Sequence, residues 1–278
     1  MGHQQAIVGG KSVGVPGNLR MMEMMHKAYG KLAWARLFDP AIKLAEDGFA
    51  ISPRLHQLLT SDREFQAMER ARALYYQADG SAKAVGTILK NPDFAATLRA
   101  VAQGGADAFY SGKIAADIVK TVDEATKNPS DMTLEDLKNY RAIERPAVCG
   151  KYRGHNICGM GPPSSGSVGV IQTLGMIERF DMRKLGAGNP EAEHVLIEAG
   201  RLALADRAVY LADPDRIPVP TDALIAPPYI KERSALIDPQ HRMAEAPAGK
   251  VPVKGAALVP APSRSEEHTS ELQSRLHL

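Results

Sequence analysis

Residues Tyr152 to Val168, YRGHNICGMGPPSSGSV, interrupt an otherwise helical sequence and constrain the fold more than any other stretch. The β-like runs Ala147-Val148-Cys149 and Asn156-Ile157-Cys158 flank Arg153-Gly154. That pattern reads as a hairpin, although Arg-Gly is a weaker turn signal than Asn-Gly. With Arg153-Gly154 as a two-residue loop, Tyr152 faces His155, Lys151 faces Asn156, Gly150 faces Ile157 and Cys149 faces Cys158. The first pair is hydrogen-bonded, and alternation makes the cysteine pair a non-hydrogen-bonded one, with Cα atoms about 4.5 Å apart. That distance is at the short end of what a disulfide accepts. Two outcomes stay open: a bridge in an oxidising compartment, or two buried free thiols packed as small apolar groups.

Helical signals surround the hairpin. Met21, Met22, Met25 and Tyr29 form an apolar stripe at helical spacing, closed by Gly30, and are expected to pack in a core. Asp39-Pro40 opens a helix that stops at Gly48, and Ser52-Pro53 opens a longer one running to about Tyr75. Asn91-Pro92-Asp93 starts another. Thr133-Leu134-Glu135-Asp136 has the spacing of a capping box. Beyond the Pro162-Pro163 corner, helix periodicity resumes from about Ser165 to Phe180. Asn189-Pro190 starts a long helix to about Leu211, ended by Asp213-Pro214. Ile217-Pro218-Val219-Pro220 is extended, because proline disfavours helix in the residue before it. Residues 246–262, rich in Ala, Pro, Lys and Gly, read as a mobile linker. Arg264 to Ser274, RSEEHTSELQS, matches the translation of a sequencing-library adapter, so residues 264–278 are taken as a non-native tail.

Charge and motifs exclude several functions. The formal net charge is +2 and basic residues are dispersed, so a nucleic-acid partner is not indicated. No apolar run approaches the roughly 20 residues of a membrane span. Gly10-Lys11-Ser12 has the letters of a P-loop end, but Gln5 stands where that loop needs glycine and Val13 to Pro16 is extended. Gly166-Ser167-Val168-Gly169 is one residue short of a nucleophile elbow; helix capping by Ser164 or Ser165 explains it better. The eight histidines contain no His-x-x-x-His pair, and no metal or cofactor is expected. Asp206-Arg207 and Asp213-Pro214-Asp215 read as caps and charge pairs.

An ordered series of segments carries a resemblance. It comprises Ser12-Val13-Gly14-Val15-Pro16-Gly17, then Phe38 to Phe49, Gly105 to Gly112 and Leu134 to Tyr140. Tyr152-Arg153-Gly154, the Pro-Pro-Ser-Ser-Gly corner, Ala205-Asp206-Arg207 and Asp213-Pro214-Asp215 follow in order. The series resembles the gamma-glutamyltransferase (glutathione hydrolase) family of N-terminal-nucleophile hydrolases. Gly161 and Ser167 depart from that family's longer Pro-Pro-Pro-Ser-Ser-Gly-Gly corner.

The resemblance implies an α/β fold of the αββα Ntn-hydrolase class, of which this chain is a mainly helical part with the hairpin at residues 147–158. It also implies that residues 1–263 are a partial large-subunit region of a proenzyme. The family transfers the γ-glutamyl group of glutathione-like amides to water or amino-acid acceptors through a threonine acyl-enzyme. That threonine opens a small C-terminal catalytic subunit released by self-cleavage, and its α-amino group serves as base. Nothing native here matches the Thr-Thr-His or Thr-Ser-His context of that threonine, nor the upstream arginine that holds the substrate carboxylate. His268-Thr269-Ser270 lies in the adapter-like tail. No residue of this chain is therefore assigned a catalytic, substrate-binding or metal-ligating role. The chain alone is expected to be inactive, and poorly soluble or partly molten where sheet edges and apolar faces lack their partners. The resemblance implies a periplasmic or extracellular location. A related acylase of the cephalosporin type and a non-catalytic helical interaction module are the alternatives.

Overall fold

The structure is a computed structural model of the chain and describes residues 7–252. The chain divides into two compact units, 1–143 and 144–278.

The first unit is built from short helices with identifiable starts. Helix α1 is Asn18–Tyr29, α2 Asp39–Asp47, α3 Pro53–Ser61, α4 Arg63–Ala67, α5 Glu69–Tyr75 and α6 Pro92–Gly104. Three more follow: α7 Asp107–Tyr110, α8 Gly112–Asp123 and α9 Leu134–Asn139. Strands β1 (Phe49–Ala50) and β2 (Ile88–Leu89) form a minimal antiparallel pair. The side chain of Asn91 accepts from the Phe94 amide at the start of α6. Thr133 and Asp136 form the reciprocal capping box of α9. Helix α2 packs on α6 through Ile42, Ala45 and Ala95. A second cluster joins Ala106, Tyr110, Ala115 and Leu137, with Val15, Leu19 and Tyr140 against it.

Two expectations in this unit are corrected. The helix expected from Ser52-Pro53 to Tyr75 is three helices. Asp62 turns extended and its carboxylate caps the Phe65 amide, and Met68 is extended as well, so the chain starts a new helix at each. The methionine stripe is not core. Helix α1 has no buried residue, and Met21, Met22, Met25 and Tyr29 are 37%, 49%, 53% and 78% exposed. The helix is held by its other face instead. Leu19 packs on the Tyr110 cluster, the Arg20 guanidinium lies 4.5 Å from the Tyr110 ring centre, and Glu23 accepts from the Ala106 amide. Gly10-Lys11-Ser12 is a 3-10 turn whose first two amides donate to Lys127 and Asn128 carbonyls, so they are not free to cradle a phosphate.

The second unit contains β3 (Val148–Tyr152), β4 (His155–Gly159), α10 (Gly166–Ile177), α11 (Met182–Leu185), α12 (Pro190–Tyr210), α13 (Thr221–Leu224) and α14 (Pro227–Ser234). The hairpin has the expected register, from Tyr152↔His155 to Val148↔Gly159 with Cys149 opposite Cys158. Arg153 and Gly154 both take positive φ, 48° and 82°, as a type I′ turn requires; Gly154 does so without steric cost, Arg153 does not. Between the open alternatives for the cysteines, the bridge is the one found, with Cα atoms 4.1 Å apart. Cys149 and Cys158 are exposed residues and belong to none of the core clusters among the described residues. The inner face packs on α10 so closely that a Cβ at Gly150 would meet the Ile171 side chain at 2.5 Å.

Helix α12 organises this unit. Its buried residues are Ala192, Val195, Glu198, Ala199, Leu202, Ala203, Asp206 and Tyr210, a stripe at spacings of three and four. Val195, Ala199, Leu202 and Ala203 of this stripe form one cluster with Met176, Ile177 and Ile237, and Tyr210 joins another with Val168, Leu224 and Tyr229. At roughly 25 cal/mol per Å² of apolar surface, burying side chains such as Leu202 and Val195 stabilises the unit by about 1.5–3 kcal/mol each.

Candidate functional site

The Pro-Pro-Ser-Ser-Gly corner enters α10 through a cis peptide between Pro162 and Pro163. Ser164 Oγ accepts from the Gly166 amide at 3.3 Å, a local cap. Ser165 occupies the N-cap position but its side chain makes no cap bond; its Oγ accepts from Arg207 Nε at 3.0 Å. Ser167 is buried and its hydroxyl donates to the Met160 carbonyl at 2.6 Å. Among the described residues none of the three hydroxyls hydrogen-bonds to a base that would activate it as a nucleophile. Capping therefore comes from Ser164, and Ser165 ties the corner to α12.

A second polar constellation centres on Asp206, 1% exposed. Its Oδ2 accepts from Gln172 Nε2 at 3.0 Å and from the Tyr229 hydroxyl at 2.7 Å. Its Oδ1 accepts from the Gly249 amide at 2.8 Å and lies 3.2 Å from Arg233 Nη2. Arg233 also donates to the carbonyls of Leu202 and Pro247. The Tyr210 hydroxyl donates to the Gly249 carbonyl at 2.7 Å. Burial, then the hydrogen bond to Asp206, drives the Tyr229 phenol far above its ordinary pKa, so it stays protonated and acts as a donor.

Two turns earlier on α12, Glu198 is also 1% exposed. Its carboxylate accepts from Arg201 Nη1 at 2.6 Å and from the Met243 amide at 3.0 Å, while Arg201 donates to the Met243 carbonyl. Burial acts to raise the Glu198 pKa. The hydrogen bonds from Arg201 and Met243, with the charge of Arg201, outweigh it and carry the group below its ordinary value. Near the C-terminus of α14, Arg179 donates to the Ser234 hydroxyl and to the Ser234 and Ile237 carbonyls.

Asp206, Arg233, Tyr210, Glu198 and Arg201 share one consequence. They bind the backbone of residues 243–249 against α12 and α14. The stretch from Ala246, expected to be a mobile linker, is therefore held as far as Val251, with Ala248 and Val251 packed on Tyr210, Leu224 and Tyr229. Residues 253–262, the adapter-like tail with His268 and Thr269, and His3 lie outside the described residues. Asp206 meets the expectation of a charge pair, though it is buried rather than exposed. Asp213 accepts from the Asp215 amide, and Asp215 forms a two-pronged ion pair with Arg145. Gln172, Glu198, Tyr229 and Arg233 were not singled out from sequence. A signal exists for two of the partners: Glu198 and Asp206 sit on the buried stripe of α12, where an apolar residue is expected.

The gamma-glutamyltranspeptidase family profile matches residues 1–273. The chain belongs to the gamma-glutamyltranspeptidase family. Among curated relatives it is 37% identical over 227 residues to the glutathione hydrolase proenzyme of Escherichia coli (strain K12), covering 81% of this chain and 38% of that protein. It is 38% identical over 235 residues to the acylase ACY 1 proenzyme of Pseudomonas sp. (strain SE83), covering 84% and 42%. The chain thus spans well under half the length of these relatives. Among solved structures, the Helicobacter pylori gamma-glutamyltranspeptidase superposes with a TM-score of 0.82 at 36% identity, over 88% of this chain and 70% of that one. A cephalosporin acylase from Bacillus halodurans gives 0.71 at 26% identity, over 83% and 43%. These neighbours bear out the N-terminal-nucleophile hydrolase fold and the mainly helical character of this region. The profile match runs into the tail read as non-native. Among the described residues no helix is long and apolar enough to cross a membrane.

Proposed function

We propose that this chain is the helical scaffold of a γ-glutamyl transfer proenzyme. In this reading the complete protein moves the γ-glutamyl group of glutathione-like amides to water or an amino-acid acceptor. The nucleophilic threonine, with its own α-amino group as base, is supplied by a C-terminal catalytic subunit cut from the same precursor. The observation that carries this is the family match over nearly the whole chain, joined to a glutathione hydrolase proenzyme at 37% identity.

The residues described here then act before chemistry, by placing backbone. Asp206, Arg233, Glu198 and Tyr210 hold residues 243–249 at four backbone groups, the amides of Met243 and Gly249 and the carbonyls of Pro247 and Gly249. They prepare the course of whatever chain follows. Burial excludes water from that seam, which strengthens its charge-assisted bonds. The Cys149–Cys158 bridge supports a periplasmic or extracellular location, because disulfides form and persist in oxidising compartments. The exposed α1 methionines and the open edges of β3 and β4 support a need for further chain to cover them.

A specific observation also favours a related acylase, the 38% identity to an acylase proenzyme. The two readings separate by substrate. The chain is assayed alone and within its full-length gene product, with a γ-glutamyl anilide and with a cephalosporin side-chain amide. The expected result is turnover of the anilide by the full-length protein and none by the 278-residue chain. Full-length turnover of the cephalosporin amide alone would replace the reading by the acylase. Turnover by the chain alone, lost on changing Thr269, would overturn the scaffold role. Genomic sequence downstream that stops in frame at Pro262 would favour the interaction module instead.

A further inference from the structure

The two faces of the β3–β4 hairpin are in different surroundings. Val148, Gly150, Tyr152, Ile157 and Gly159 face inward and are half-buried, with Gly150 against Ile171 and Gly159 against Ser167 of α10. Cys149 and Cys158 lie on the opposite face and are exposed. Their bridge joins strands already aligned by the backbone ladder, the Arg153-Gly154 turn and the packing on α10. It spans a sequence separation of only 9, and so short a loop limits what a bridge adds by constraining the unfolded chain. Both cysteines are exposed residues, and access is what a thiolate needs to attack a disulfide. Lys151 sits on the same face, two residues along the strand from Cys149, and is itself exposed. A neighbouring ammonium favours the leaving thiolate and draws an anionic attacker.

We propose that the Cys149–Cys158 bridge is a thiol–disulfide exchange site for small anionic thiols of the glutathione class. The incoming thiolate attacks one bridge sulfur. A new sulfur–sulfur bond forms as the Cys149–Cys158 bond breaks, and the electron pair stays on the other cysteine, which takes a proton from water. A second thiolate attacks the mixed disulfide, releasing the small disulfide and leaving two protein thiols. Two small thiols are oxidised and one bridge is reduced, so electrons balance. In the reverse direction the free cysteine displaces the small thiol and restores the bridge. No amide bond is cut, so the proposal stands or falls independently of γ-glutamyl transfer.

The oxidised chain is incubated without denaturant in millimolar glutathione, and separately in the uncharged 2-mercaptoethanol. Samples are quenched by alkylation and weighed by mass spectrometry, with hydrogen exchange of α12 followed in parallel. The expected result is a transient mixed disulfide on Cys149 or Cys158, then alkylation of both, with α12 protection unchanged. Lys151→Gln is expected to slow glutathione about twofold through the lost screened attraction and to leave 2-mercaptoethanol unaffected. A bridge that opens only in denaturant, or only with loss of α12 protection, overturns the proposal. So do two free thiols in protein purified under oxidising conditions. The Cys149→Ser, Cys158→Ser chain is expected to keep α12 protection; its loss would make the bridge a structural staple and overturn the exchange role.

Discussion

Helices α1 and α12 carry apolar residues at the same helical spacing and end in opposite states. Met21, Met22 and Met25 of α1 stay at least 37% exposed, whereas α12 buries a full stripe that includes two carboxylates. The difference is in what lies opposite. Helix α12 meets α10, packs with Ile237 and receives the segment 243–249 on its polar positions. Helix α1 is held through Leu19, Arg20 and Glu23, and its methionine face meets none of the core clusters among the described residues. Spacing defines which residues share a face; it does not decide whether that face is covered.

The sharpest way to break this comparison is at Asp206. Replacing it with alanine leaves Arg233 as an uncompensated buried charge and strips partners from Gln172, Tyr229 and the Gly249 amide. We expect a loss of about 3–5 kcal/mol, read as faster hydrogen exchange along α12 and at residues 243–249. A cost near zero would mean that the seam does not order the segment. Next in size, Leu202→Ala on α12 is expected to cost about 2–5 kcal/mol, since Leu202 is fully buried. Met25→Ala on α1 is expected to stay within about 0.5 kcal/mol, read by Trp34 fluorescence during urea unfolding. Equal costs at the two positions would erase the distinction between the helices.

A charge-specific test follows at Glu198. Its folded-state pKa is depressed, so its carboxylate favours the fold above the ordinary glutamate value, and that contribution is lost as pH falls through the lowered pKa. Glu198→Gln is expected to cost about 1–3 kcal/mol near pH 7, as a charge-assisted bond is lost. The gap from the parent chain should close in acid, below the ordinary glutamate range. A gap independent of pH would mean that shape rather than charge matters there. The smallest effect is expected at the hairpin, where Arg153 holds a positive φ that asparagine tolerates better. Arg153→Asn should stabilise by about 0.4–1 kcal/mol, less what is lost where the guanidinium lies 5.2 Å from the Tyr152 ring centre. The Arg153 amide keeps its bond to Glu178 either way. A destabilised variant would show that the ring contact outweighs the turn strain.

Local chemistry explains which parts of the fold were legible. The caps at Asn91 and Thr133, the prolines at 40, 92 and 190 and the hairpin register all depend on residues within a few positions of one another. The register is readable because a two-residue loop leaves one pairing, and that pairing puts Cys149 opposite Cys158. The break at Asp62 was missed because aspartate is both a tolerable helix residue and a strong cap, and the cap won. Helix α14, with Tyr229 and Arg233, went unread between the prolines and the linker-like stretch.

Taken alone, the sequence determined the helix starts at Pro40, Pro92, Thr133 and Pro190, the hairpin, the register that sets Cys149 opposite Cys158, and the family series, because each rests on backbone preferences or on an order of short motifs. Tertiary structure alone decided that Met21, Met22 and Met25 face outward, that Ser165 serves Arg207 rather than its own helix, and that Ala246 to Val251 is held against the second unit's helices. The physical reason is the reach of the interactions. A cap or a tight turn is settled within four residues, whereas the Asp206–Gly249 bond closes 43 residues of chain and forms only when α10, α12 and α14 have already enclosed the carboxylate.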